Sequence, residues 1–133
     1  MHKGTIAVTS SQKMEFIDIT SQINQAIGAS GCQSGICALY NPHTTAAVTI
    51  NEGADPAVRE DLIAIFSRMV PDDCHYQHLE GNSPAHAMTS LVGSSAMVFI
   101  ENGAAQLGAW QRIFFCEFDG PRHRKIHWRL MAA

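Results

Sequence analysis

Two imidazoles and a carboxylate fall within nine residues in His78-Leu79-Glu80-Gly81-Asn82-Ser83-Pro84-Ala85-His86. Imidazole titrates near neutrality and ligates metals as the neutral ring, and a carboxylate beside it can take a proton or orient it. Gly-Asn-Ser-Pro turns the chain, so the two histidines do not share one helical face. The expected geometry puts His78 at a strand end or loop with Glu80 beside it, Ser83 as N-cap and Pro84 in the first helical position. His86 then lies in the first helical turn, where the dipole disfavours imidazolium and leaves the ring ready for a metal. The pattern is less diagnostic than HExxH, which fixes two ligands on one helix face. The competing reading is a pair of surface or hydrogen-bonded core histidines.

His43-Thr44-Thr45 follows Pro42 in a turn, just before an apolar strand over Ala46–Asn51. An imidazole and two hydroxyls at a strand mouth can grip an oxyanion or contribute a ligand; they can equally be turn and strand residues. Glu52 stands at the far end of that strand, about 20–25 Å from His43 if the run stays extended. The two could share a site only across a subunit boundary or after a sharp bend. Glu117 shares strand parity with Ile113 and Phe115, which sets a carboxylate on an apolar face and demands a partner. Arg122 or a bound cation could supply it. Asp119-Gly120 reads first as a charged hairpin turn.

The elements that must position these groups are short. Strands are expected over Lys3–Ser10 and Lys13–Ile19, the second with a bulge near Phe16 where its apolar parity shifts. Thr20 or Ser21 caps a short helix through Ile23, Ala26 and Ile27, ended by Gly28 and Gly31. Strands follow over Gly35–Tyr40 and Ala46–Asn51. The clearest helix has Asp55 as N-cap, Pro56 first, and a core stripe of Val58, Leu62, Ile65, Phe66 and Met69, closed by Pro71. Met88, Leu91 and Val92 continue the short helix after His86 to Gly93. Ala96–Glu101 is a strand before the hairpin signal Asn102-Gly103, and Arg112–Phe118 is a strand too apolar to have a wet face. The last strand alternates, with Ile126, Trp128 and Leu130 on one face and Lys125, His127 and Arg129 on the other. About eight strands and three short helices joined by tight turns point to an α+β fold, mainly an antiparallel β-sandwich or distorted barrel.

The 133 residues suit a single domain spanning 1–133. Charged residues make up 16%, below the roughly 25% of typical soluble domains, which favours burial of some surface in an oligomer. A net charge of −3 argues against a nucleic-acid binder driven by bulk charge. Arg122, Arg124, Lys125 and Arg129 nevertheless cluster near the C-terminus, as an anion site or a solvated strand face. Four cysteines without CxxC and the lack of a secretory signal read as reduced thiols in a cytoplasmic protein. No apolar run is long enough to span a membrane. Neither GxGxxG nor a P-loop occurs.

Four motifs in order, His43-Thr44-Thr45-Ala46-Ala47-Val48-Thr49-Ile50-Asn51-Glu52, His78-x-Glu80-Gly81-Asn82 with Ala85-His86, Leu107-Gly108-x-Trp110-Gln111 and Glu117-Phe118-Asp119-Gly120-Pro121-Arg122, together resemble the YjbQ-like family. The resemblance runs from about Lys3 to the C-terminus. It implies a compact α+β fold dominated by a β-sandwich, and a homotrimer with the active site between subunits. It also implies a divalent metal, zinc being the expected ion, on His43, His78 and His86. Three imidazoles with an open fourth position are the ligand set of a catalytic zinc site. Glu80 and Glu52 become the candidate catalytic carboxylates, Glu52 from a neighbouring subunit. Thr44, Thr45, Trp110, Gln111 and Arg122 become substrate contacts. Ala109 departs from the family pattern, where Thr or Ser is commoner, and bears on the pocket lining.

The function so implied is a metal-dependent enzyme acting on a small phosphorylated substrate, with a secondary activity resembling thiamine-phosphate synthase. The alternative is a non-catalytic trimeric protein that binds a metal or small ligand.

Overall fold

The computed structural model describes residues 2–133. Along these residues the elements run β1 (His2–Thr9), β2 (Glu15–Asp18), α1 (Thr20–Ser30), β3 (Ser34–Tyr40), β4 (Ala46–Glu52), α2 (Pro56–Met69), α3 (Ser83–Val92), β5 (Ser95–Glu101), β6 (Ala104–Ala105), β7 (Gln111–Glu117) and β8 (His123–Ala132). The strands form a five-stranded sheet in the order β1-β8-β3-β5-β6 and a three-stranded sheet in the order β2-β7-β4. All paired strands are antiparallel. The fold is therefore α+β, as its pattern of short strands and tight turns requires.

β7 explains why its sequence lacks alternation. Ile113 and Phe115 point into the main core with Val8, Ile23, Leu39, Val48, Ile100, Ile126 and Leu130. Phe114 and Cys116 point the other way, into a second cluster with Phe16, Ala47, Phe118, α2 and α3. Both faces of the small sheet are covered, so every position of the strand's centre is apolar.

The same layering removes the expected bulge near Phe16. β2 pairs with β7 in unbroken register, Phe16 opposite Cys116 and Ile17 opposite Phe115. The parity shift is real, but it arises because Phe16 packs under the helices while Ile17 and Ile19 serve the main core.

α2 begins as its sequence dictates, with the Asp55 carboxylate accepting the Ala57 N–H at 2.9 Å. Its stripe is narrower than the periodicity implies. Leu62, Ile63 and Phe66 pack on the second cluster, whereas Ile65 and Met69 are exposed. Only the face carrying Leu62, Ile63 and Phe66 is covered, so the rest of the stripe turns outward. At α1, neither Thr20 nor Ser21 acts as the side-chain cap; the Asp18 carboxylate accepts the Thr20 N–H at 2.9 Å. The helix passes through Gly28 and ends at Gly31, whose φ of 74° is the left-handed stop glycine permits. α3 starts one residue earlier than expected, with Asn82 as N-cap and Pro84 in its second position.

Alternate residues of β3, β5 and β8 leave Tyr40, Met97, Phe99 and Met131 exposed on the outer face of the large sheet. Ile36 lies opposite both Phe99 and Met131, and Ala38 opposite Met97, so these side chains form one apolar patch. No helix among the described residues is long and apolar enough to cross a membrane.

Candidate functional site

The connector between β3 and β4 is held by Asn41, only 1% exposed. Its side-chain oxygen accepts the His43 N–H at 3.0 Å, and its amide donates to the carbonyls of His43 at 3.1 Å and Ala46 at 2.5 Å. This cage fixes the backbone of His43. The ring stands edge-on to Phe115, with centroids 6.3 Å apart.

The β3–β8 ladder stops at Tyr40 opposite His127, and the His43 ring takes the next rung. Its Nε2 lies 3.1 Å from the Lys125 carbonyl oxygen and 3.0 Å from the Lys125 nitrogen. One nitrogen cannot donate to the carbonyl and accept from the N–H at once, so these contacts select different tautomers. With the proton on Nε2, bonded to the carbonyl, Nδ1 keeps a free lone pair. That is the arrangement in which histidines ligate metals. Burial, and then the Arg124 guanidinium, hold the His43 imidazolium below its ordinary range, so the ring is neutral near neutrality.

His78 and His86 approach each other edge to face, ring centroids 5.4 Å apart and planes at 79°. Two imidazoles bound through nitrogen to one tetrahedral ion at about 2.0–2.1 Å place their ring centres about 5 Å apart. The spacing and donor chemistry fit a zinc-like cation. His86 and His43 line one open cleft of about 600 Å³ with Thr44, Thr89, Ser90, Gly93 and Ser94. No three histidine, cysteine, aspartate or glutamate side chains converge closely enough to enclose a cation among the described residues. His43 belongs to the same cleft but is turned onto β8.

Glu80 sits in an exposed polar cluster with Asn82, Asp119 and Arg122. Gly81, at φ 80°, turns the chain back, so that the Asn82 amide donates to Glu80 at 2.8 Å and to Asp119 at 2.9 Å. The remaining Asn82 side-chain oxygen is buried without a partner among the described residues. Arg122 donates to Asp119 at 2.8 Å and lies 3.6 Å from Glu80. An anion reaching Arg122 would compete with both carboxylates.

The partner of Glu117 is neither Arg122 nor a bound metal ion but the Arg124 guanidinium. Glu117, fully buried, takes Arg124 Nε at 2.8 Å, Arg124 Nη2 at 2.5 Å, Ser10 Oγ at 2.7 Å and the Asp119 N–H at 3.1 Å. Burial alone would raise its pKa; the bonds from Arg124, Ser10 and Asp119 outweigh that and lower it. Arg124 Nη2 also donates to Thr45 Oγ1 at 2.8 Å. The Thr45 hydroxyl thus faces inward, and Thr44 is the threonine that lines the cleft.

Glu52, Trp110 and Gln111 stand elsewhere. Glu52 lies opposite Gln111, while Ala46, at the His43 end of the same strand, lies opposite Glu117. The length of β4, roughly 20 Å at strand rise, separates these groups within one chain. The Gly53 N–H donates to the Trp110 carbonyl at 2.8 Å, and the indole is 66% exposed.

Sequence reasoning missed Asn41 and the hydroxyls of Ser90 and Ser94, and read Arg124 as part of a basic surface cluster when it is the buried partner of Glu117. Arg124 carried a signal, since strand parity puts it on the inward face with Ile126. Asn41 in an Asn-Pro turn carried none that separates it from an ordinary turn residue.

Two sheets with helices over the smaller one, and histidines gathered where β4 begins, define a small α+β protein with an imidazole- and hydroxyl-lined cleft. Residues 4–133 match the model of the UPF0047 protein YjbQ-like family, and the chain belongs to that family. It is 46% identical over 125 residues to a UPF0047 protein of Methanocaldococcus jannaschii, covering 94% of this chain and 91% of that one. It is 43% identical to the UPF0047 protein YugU of Bacillus subtilis, covering 96% and 98%. The crystal structure of an uncharacterised YjbQ/UPF0047 protein of Clostridium acetobutylicum superposes with a TM-score of 0.93 at 44% identity, over 96% of this chain and 98% of that one. A hypothetical protein of Aeropyrum pernix superposes at 0.94 with 30% identity over the whole of both chains.

Proposed function

We propose that this protein is a metal-dependent enzyme acting on a small phosphorylated substrate, working as a cytoplasmic homotrimer with its site at a subunit boundary. The observation that carries the reading is the His78–His86 pair at a spacing suited to one cation, with His43 on the cleft that His86 lines. With its Nε2–H on the Lys125 carbonyl, His43 would offer Nδ1 as the third donor. Bound there, a divalent ion such as zinc would act as a Lewis acid on a substrate oxygen or lower the pKa of a water.

The chain's own residues supply the rest. Thr44, Ser90 and Ser94 offer hydroxyl donors for phosphate oxygens, while the Thr89 hydroxyl is spent on the Ala85 carbonyl at 2.9 Å. Glu80, two residues from His78 and exposed, would take a proton from an attacking group. Glu52, Trp110 and Gln111 of a neighbouring chain would close the cleft. Three imidazoles suit activation of a water or polarisation of an oxygen better than departure of pyrophosphate, which favours oxygen-ligated magnesium. A thiamine-phosphate synthase-like transfer is therefore the secondary activity in this reading.

The second reading is a non-catalytic trimeric metal or small-ligand binding protein. It is favoured by the engagement of His43 Nε2 with β8, which makes the ring a cap on an open rung of the sheet.

Elemental analysis of protein purified without chelator, paired with His86→Ala, separates these ideas. The expected result is about one divalent ion per chain in the wild type and loss of most of it in the variant. Metal-free wild type that also fails to take up zinc or cobalt would sink the three-histidine site. Bound metal with no turnover across phosphorylated and hydrolysable substrates would favour the binding protein.

A further inference from the structure

The geometry points to the buried Glu117–Arg124 pair as the positioning device of the candidate site, holding His43 on one side and Glu80 on the other. This rests on the proposed metal reading and assigns work to two residues outside its ligand set.

The pair lies where an apolar side chain would serve stability as well. Glu117 follows Cys116 and precedes Phe118, both buried, and Arg124 is two residues from the fully buried Ile126. Replacing a buried ion pair by packed apolar groups is commonly neutral or stabilising. What such groups could not replace is the fan of hydrogen bonds leaving the pair. From Arg124, Nη2 reaches Thr45 Oγ1 at 2.8 Å and the Thr45 carbonyl at 3.3 Å. The next residue along β8, Lys125, holds the His43 ring through its backbone. The segment His43–Thr45 is thus tied at both ends to consecutive residues of β8.

From Glu117 a second arm runs the other way. Its Oε2 accepts the Asp119 N–H at 3.1 Å. The Asp119 carboxylate accepts from Asn82 at 2.9 Å, and Asn82 donates to Glu80 at 2.8 Å. Glu80 is two residues from His78. Loss of the pair would free the turn carrying Asp119 and the connector carrying His43 together. These are positioning residues; neither touches the cleft.

The test uses Glu117→Leu/Arg124→Leu, which leaves no unpaired buried charge, alone and in a His43→Ala background. Cooperative unfolding establishes that each variant is folded. Zinc or cobalt titration then reads affinity, and nitrogen-15 NMR of the histidine rings without metal reads the His43 tautomer. The expected result is a folded double variant with divalent-ion affinity down roughly 10–100-fold, and His43 ring signals averaged between tautomers. In the His43→Ala background the same change should cost less than in the wild type, because only the arm through Asp119 and Asn82 is left to lose. A folded double variant with wild-type affinity and wild-type His43 signals would overturn the proposal, as would an equal loss with His43 already absent. If the double variant does not fold, Arg124→Lys, which keeps the charge but lacks the arm to Thr45, is read by the same measurements. If the wild type takes up no divalent ion, the metal reading fails. The ring spectrum then decides positioning alone, and unchanged His43 signals in the variant overturn it.

Discussion

Glu117 shows how one side chain can be right in the sequence and misassigned in its partnership. Its parity announced a carboxylate on an apolar face that needed a cation, and the structure supplies Arg124, with its guanidinium at 2.5–2.8 Å. Arg122, nearer in sequence, turns outward to Asp119. The parity argument applied to β8 would have found this, because Arg124, Ile126 and Leu130 all face inward. Because the Glu117 carboxyl is held below its ordinary pKa, its ionised form favours the fold. That stability is fully present above the unfolded pKa and is lost as pH falls through the folded one. Glu117→Gln should therefore cost about 3 kcal/mol near neutrality, by leaving Arg124 uncompensated. The gap to wild type should narrow as pH falls below about 5. Denaturant midpoints across that range check it. A gap that stays constant into acid would mean the pair contributes nothing through its charge.

At the level of elements, boundaries were legible wherever a local chemical signal sets them. Asp55-Pro56 opens α2, and Asn102-Gly103 turns β5 into β6 with positive φ at both residues. Asp55→Ala should lower stability by about 1 kcal/mol through loss of the cap, measured by thermal unfolding; an unchanged midpoint would mean the Ala57 contact is not a functioning cap. Gly81 is different. A Cβ there would meet open space, yet φ is 80°, so Gly81→Ala should cost about 1 kcal/mol from backbone conformation alone. It should also pull Asn82 from Glu80 and Asp119, so its effect on divalent-ion uptake should exceed its effect on the unfolding midpoint. Equal loss in both would make the turn structural only. What periodicity could not reveal was how many layers each element touches. α2 packs only Leu62, Ile63 and Phe66 of its stripe, and β2 sends Phe16 to one cluster and Ile17 to the other. Those facts depend on neighbours distant in sequence.

For the whole molecule, the separated ends of β4 are the central constraint. One end gathers His43, Thr44 and His86; the other carries Glu52 opposite Gln111. A cyclic assembly joins two different patches of each chain at every interface, so a trimer can bring the far end of one β4 to the cleft of the next. The large sheet offers a surface for such contact, with Tyr40, Met97, Phe99 and Met131 exposed together and Lys3, Lys125 and Arg129 on alternate positions of the neighbouring strands β1 and β8. Exposed apolar area of this kind on a sheet face is characteristic of surfaces that are covered in the working protein. The low charged fraction hinted at burial in an oligomer, but only the sheet register shows which side chains share the face. Phe99→Glu sets a carboxylate in the middle of that patch without touching either core cluster. Sedimentation velocity should show the wild type as a trimer and the variant shifted towards monomer, with the unfolding transition of the variant still cooperative. A wild type that sediments as a stable monomer would remove the site shared between subunits. A variant that remains trimeric would move the interface off this face while leaving the shared site in place.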